Sequence, residues 1–183
     1  MLNRSLLRQQ LQGLTDLDPT EQGHRDAVLA LLDLPGDVAH RSHFDPGHLT
    51  ASAFVLSPDG QELLLILHGK LHKWLQPGGH VDPQDADLVQ AAQREVAEET
   101  GVSNTAVLNP LFDVDVHVIP ARKGDPEHRH FDVRVLLQAA TKDMQAGSDA
   151  ADARWVRLTE VAELNTDESV RRAVGKIMKL RTK

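Results

Sequence analysis

Glu95, Glu98 and Glu99 stand at i, i+3 and i+4 in the run Pro77–Val102, so on a helix all three carboxylates project from one face. Like charges at that spacing repel, and a solvated acidic face is the plain alternative to a functional one. Two neighbours argue for function. Arg94 directly precedes the cluster, and its planar fork of donors can orient a carboxylate while balancing charge. Upstream, Gly78 and Gly79 open a turn whose backbone groups are sterically accessible. Several hard oxygens beside such a turn suit Mg²⁺ or Mn²⁺ bound together with phosphate oxygens.

The helix must sit rigidly to present those carboxylates. Leu88, Ala92 and Val96 recur every four residues on another side of it, giving a face to bury, and Gly101 fits the position just past its end.

These residues carry a family likeness. The stretch resembles the Nudix hydrolase signature: a glycine, five residues, a glutamate, seven residues, then Arg-Glu-aliphatic-x-Glu-Glu-x-Gly-aliphatic. Arg94, Glu95, Val96, Glu98, Glu99, Gly101 and Val102 match the second half in full. The first half departs, because Asp85 stands six residues after Gly79 where the signature has glutamate, and one extra residue separates it from Arg94. Asp87 is the other candidate for that place, where an aspartate would equally serve as a helix N-cap. The approach Trp74-x-x-Pro77-Gly78-Gly79 is similar to that of the same family.

The resemblance covers roughly residues 48–165 and implies an α/β (α+β) fold, an α/β/α sandwich around a mixed β-sheet. It implies hydrolysis of a phosphoanhydride in a nucleoside diphosphate linked to another moiety, a nucleotide sugar or an ADP-ribose-like compound. Alternatives are a nucleoside triphosphate pyrophosphohydrolase and a non-catalytic nucleotide sensor. Such a bond is inert because its anionic oxygens repel a nucleophile and its leaving group departs charged, difficulties that a divalent cation relieves. The ligands implied are Glu95, Glu98, Glu99 and the Gly79 carbonyl, with Arg94 orienting a glutamate. One of Glu98, Glu99 or Glu127, the last on a loop beyond the helix, would accept the proton of water. Isopentenyl diphosphate isomerases resemble the same fold but rely on a catalytic cysteine, and this chain has none.

Composition bounds the rest. At 183 residues and 40% hydrophobic content the chain fits one domain with a small extension. The expected division is a helical extension over 1–40 and a Nudix domain over 41–183. A formal charge of −7 with no basic stripe opposes a nucleic-acid partner. No run of about 18 apolar residues occurs, so no membrane partner is expected and a cytoplasmic, soluble protein is. The expected partner is a small nucleotide, with a homodimer possible through the N-terminal segment.

Leucine periodicity over residues 1–34 predicts two short helices, the second starting at Asp18-Pro19. Ala51–Leu56 and Glu62–Leu67 read as a hairpin about Ser57–Gly60. Leu111–Ile119 and His128–Gln138 read as further strands joined by the loop Ala121–Glu127. If they pair, one sheet face carries His117, His128, His130 and Asp132, which would serve a second metal or the polar wall of a substrate cleft. Trp74 reads first as core, yet lies near enough to the signature to stack a base. Met144–Ala153 reads as a loop, Thr159–Glu163 as a helix start, and Asn165–Arg181 as a terminal helix.

Overall fold

The computed structural model describes residues 2–122, 124–144 and 152–181. Most of the expected loop between Met144 and Ala153 lies outside the described residues. In chain order the elements are α1 (Arg4–Gln12), α2 (Pro19–Leu31), β1 (Gly47–Leu56), β2 (Glu62–His68), β3 (Lys73–Leu75), β4 (Gly78–His80), α3 (Leu88–Thr100), β5 (Thr105–Ile119), β6 (His128–Ala139), β7 (Ala153–Arg157) and α4 (Glu168–Leu180).

The strands form one mixed sheet in the order β3-β2-β1-β6-β5, with β4 added to β1 and β7 to β2. The central pair, β1 and β6, runs parallel, and all other pairs are antiparallel. Alternation along β1 decides how the layers stack. Leu49, Ala51, Ala53 and Val55 face one way, joining Phe131, Val133, Val135 and Leu137 of β6 in a core covered by α1, α2 and α3. Phe54 and Leu56 face the other way and meet Val170, Ala173, Val174 and Ile177 of α4. This is the expected α/β/α sandwich. Leu7, Leu11, Val28 and Leu31 share the first core with the sheet, so the two N-terminal helices act as a cap over it.

Local sequence sets the helix ends as expected. Asp18 and Asp167 accept hydrogen bonds from the backbone N–H groups of Glu21 and Val170, and Pro19 occupies the first helical position. Gly101 closes α3 in the left-handed conformation at φ 76°.

Three expectations need correction. The segment Thr159–Glu163 is no helix start but a turn leading to a three-residue 3₁₀ helix, Val161–Glu163, without a side-chain cap. β5 begins at Thr105 rather than near Leu111, and irregularities between Val107 and Asp113 break its period of two. Phe112 therefore joins the α4 cluster while Val114 joins the other. Gly78 and Gly79, expected to open a turn, lie instead in β4, paired with Ser52 and Ala51 of β1. On the polar side of β5 only His117 is exposed. Asp113 and Asp115 are buried.

Candidate active site

On α3, Leu88, Ala91, Ala92 and Val96 are buried against the sheet, which fixes the helix and turns Glu95 and Glu99 toward β4. Asp87 accepts from the Gln90 N–H at 2.8 Å and is the N-cap of this helix. Asp85 does something different. Its two oxygens take Nε and Nη2 of Arg94 at 3.2 and 3.0 Å.

Arg94 is the hub of the site. Nη1 donates to Glu95 at 2.9 Å and to Glu98 at 3.1 Å, and Nη2 donates to the His80 carbonyl at 2.8 Å. The hydrogen bonds to Asp85 and then Glu95 push its guanidinium pKa up, overcoming partial burial. Burial pushes the Glu95 carboxyl up, and Arg94 pulls it back only in part. Glu99 accepts from the Gly78 N–H at 2.9 Å.

The close approach of α3 explains why position 79 of β4 is glycine. A Cβ there would stand 2.7 Å from the carboxylate of Glu95, inside any ordinary contact distance. At Gly78 a Cβ would lie 2.2 Å from that of Ser52, because β4 pairs tightly with β1. Strand β4 and the glutamates are thus in direct contact. Glu98, in contrast, is exposed, with 58% of its side-chain surface accessible.

The reverse side of the sheet carries a polar wall built by register. Residues opposite one another across strands share a face. His48, His130 and His117 form one rung, His80, Thr50, Asp132 and Asp115 the next, and Gly78, Ser52, Arg134 and Asp113 a third. Asp132 is committed within the wall, accepting from Ser52 at 2.7 Å, Arg134 Nε at 2.9 Å and Thr50 at 3.1 Å. Arg134 also faces Asp113 and Asp115, and Arg172 and Lys176 of α4 reach Asp113 at 2.8 and 3.2 Å. Burial would raise the Asp113 carboxyl, but Arg172, Arg134 and Lys176 outweigh it and hold it below the usual range. Burial, with neighbouring histidines, pushes His48 down to about 4 and His130 down to about 2. Both are neutral imidazoles at neutral pH.

The structure thus brings Gly79, Arg94, Glu95, Glu98 and Glu99 together, and gathers His117, His128, His130 and Asp132 on the wall. Glu127 stands exposed on the loop entering β6. Trp74 sits on β3 beside the α4 cluster, with the Arg154 guanidinium 3.9 Å over its ring. His48 and Thr50 lie before the strand expected over Ala51–Leu56, and Ser52, inside it, carries no charge or ring to single it out. Their alternation with Leu49 and Ala51 was the available signal.

Residues 46–175, most of the chain, match the family model of the NUDIX domain. The chain belongs to the Nudix hydrolase family. Among curated relatives, Phosphatase NudJ of Escherichia coli (strain K12) is 32% identical over 118 residues, spanning 63% of this chain and 72% of that one. The asymmetrical bis(5'-nucleosyl)-tetraphosphatase of Rattus norvegicus is 29% identical over 116 residues, spanning 60% and 72%. Among solved structures, a NUDIX-family hydrolase from Clostridium perfringens shares the fold with a TM-score of 0.56 at 22% identity, over 73% of this chain and 97% of that one. Membership and these hydrolase relatives make the protein a Nudix pyrophosphohydrolase, of a family that generally uses divalent metal ions. No helix among the described residues is long and apolar enough to cross a membrane.

Proposed function

We propose that the protein hydrolyses a phosphoanhydride in a nucleoside diphosphate joined to another moiety, a nucleotide sugar or an ADP-ribose-like compound among them. The phosphates would lie beside Gly79 of β4 and the moiety against the histidine wall. The observation that carries this reading is the contact between Gly79 and Glu95, where a missing Cβ leaves the backbone open beside a carboxylate.

That cradle and its hard-oxygen donors fit Mg²⁺ or Mn²⁺, held by Glu95, Glu98, Glu99 and the Gly79 carbonyl. When bound, the ions would supply positive charge that screens the phosphate oxygens and makes water easier to deprotonate. The protein's own groups do the rest. Arg94 fixes Glu95 and ties it to the His80 backbone, so the carboxylate is oriented before substrate arrives. Glu99 is held by the Gly78 N–H. Glu98, the exposed carboxylate of the three, would accept the proton of the attacking water. Glu127 is a second candidate for that proton from the loop side.

The imidazoles of His117, His128 and His130 can offer ring nitrogens to the sugar or base of the moiety. Asp132 positions the wall, and Trp74, with one face taken by Arg154, can offer its other face or edge to a base. The rat relative's name specifies a dinucleoside tetraphosphate, itself a nucleoside diphosphate bearing a further group, which favours a linked moiety over a free triphosphate.

Incubation with nucleotide sugars, dinucleoside polyphosphates, ADP-ribose and triphosphates, with products read by mass, tests the reading. Metal-dependent scission of a linked diphosphate is expected. Cleavage of triphosphates alone would replace this substrate class, and binding without any product would make the protein a sensor.

A further inference from the structure

Away from the acidic helix, His48 of β1 and His128 and His130 of β6 bring their ligand nitrogens within 4.8 Å of one another. The parallel register sets His48 directly beside His130, and the period of two puts His128 on the same face. Gly47 lets the strands approach this closely, since a Cβ there would stand 1.9 Å from the Arg129 carbonyl oxygen.

The tautomers point one way. Nδ1 of His48 lies 3.3 Å from the His43 carbonyl, and Nδ1 of His128 lies 2.8 Å from the Pro126 carbonyl. A carbonyl only accepts, so each Nδ1 carries the proton and each Nε2 is left with a free lone pair. His48 is 1% exposed, and its Nε2 has no hydrogen-bond partner among the described residues. A buried polar atom left this way calls for a ligand.

The surroundings are aromatic rather than acidic. Phe44 packs 5.0 Å from the His128 ring, and His80 lies 5.1 and 5.2 Å from the rings of His48 and His130. Asp132, the carboxylate next along β6 on this face, is occupied by Thr50, Ser52 and Arg134. An all-imidazole donor set selects Zn²⁺, Co²⁺, Ni²⁺ or Cu²⁺ over Mg²⁺ and Mn²⁺. Nitrogens bound to tetrahedral zinc stand about 3.4 Å apart, so small ring rotations close the present spacing.

We propose that His48, His128 and His130 form a transition-metal site able to take Zn²⁺, separate from the carboxylate cluster on α3. Three protein ligands leave one tetrahedral position for an exogenous donor such as water or a phosphate oxygen. The site stands on its own donors and does not depend on the hydrolytic reading.

The test uses the full-length protein, stripped of metal by chelator, and its Glu95→Gln/Glu98→Gln/Glu99→Gln variant. Each is titrated with Zn²⁺ by calorimetry and with Co²⁺ by visible absorption. The triple variant is expected to keep one equivalent of Zn²⁺ and the intense absorption of low-coordinate cobalt, unaffected by excess Mg²⁺. His128→Gln and His130→Gln are expected to lose at least tenfold in Zn²⁺ affinity with unchanged circular dichroism. The two substitutions cover for each other should either fail to fold. Absence of Zn²⁺ binding by the stripped wild type would overturn the proposal. So would loss in the triple glutamate variant with retention in the histidine variants.

Discussion

Asp85 and Arg94 meet through two hydrogen bonds, Oδ1 to Nε at 3.2 Å and Oδ2 to Nη2 at 3.0 Å, nine residues apart in sequence. The pairing fills the place where the family signature has a glutamate. It leaves Nη1 of Arg94 for Glu95 and Glu98. Asp87 takes the capping role instead. Asp85→Ala is therefore expected to lower kcat by tenfold or more, since Arg94 loses its anchor and Glu95 its orientation. Asp87→Ala is expected to cost about 1 kcal/mol of stability with kcat little changed. Steady-state kinetics beside urea unfolding of both variants separates the two roles.

Gly79→Ala places a methyl group where the Glu95 carboxylate now lies, 2.7 Å from its atoms. Because the clash is with the end of a flexible side chain, the fold should survive while Glu95 is displaced. The expected outcome is a melting temperature within a few degrees of wild type and Mn²⁺ affinity reduced at least tenfold, read by electron paramagnetic resonance titration. Unchanged Mn²⁺ affinity would detach Glu95 from the ligand set.

The helix face and its glycine cap were legible because each rests on local rules: a period of 3.6 and a left-handed C-terminal residue. Gly78 and Gly79 were legible as open backbone but not as part of β4, because their pairing is with the distant β1. The strand carrying His128 and Asp132 was legible from its period of two. The wall itself was not. His48 sits beside His130 only through the parallel pairing of β1 with β6, and no local pattern encodes which distant strands become neighbours. Burial of Asp113 and Asp115 was hidden for the same reason, since Arg172 and Lys176 arrive from a helix about sixty residues further along the chain.

That buried network predicts how stability responds to acid. The folded-state pKa values of Asp113 and Asp115 lie below the ordinary aspartate value of 3.8, despite burial, because of the cations and hydrogen bonds around them. Their stabilisation is fully present above about pH 4 and is lost as pH falls through the depressed values. The urea midpoint should drop steeply below about pH 4. Asp113→Asn should flatten that slope while costing about 3 kcal/mol at neutral pH, because Arg134 and Arg172 stay buried with less countercharge. Unfolding curves of both proteins from pH 2.5 to 7 check the sign.

The carboxylates of α3 carry the whole hydrolytic account, and Glu98 is the one whose role a single substitution isolates. Its side chain is exposed, so Glu98→Gln should leave the fold and its circular dichroism intact. With Mn²⁺ and the best substrate of the panel, kcat is predicted to fall by about 10²-fold or more. Turnover near that of wild type would contradict the assignment.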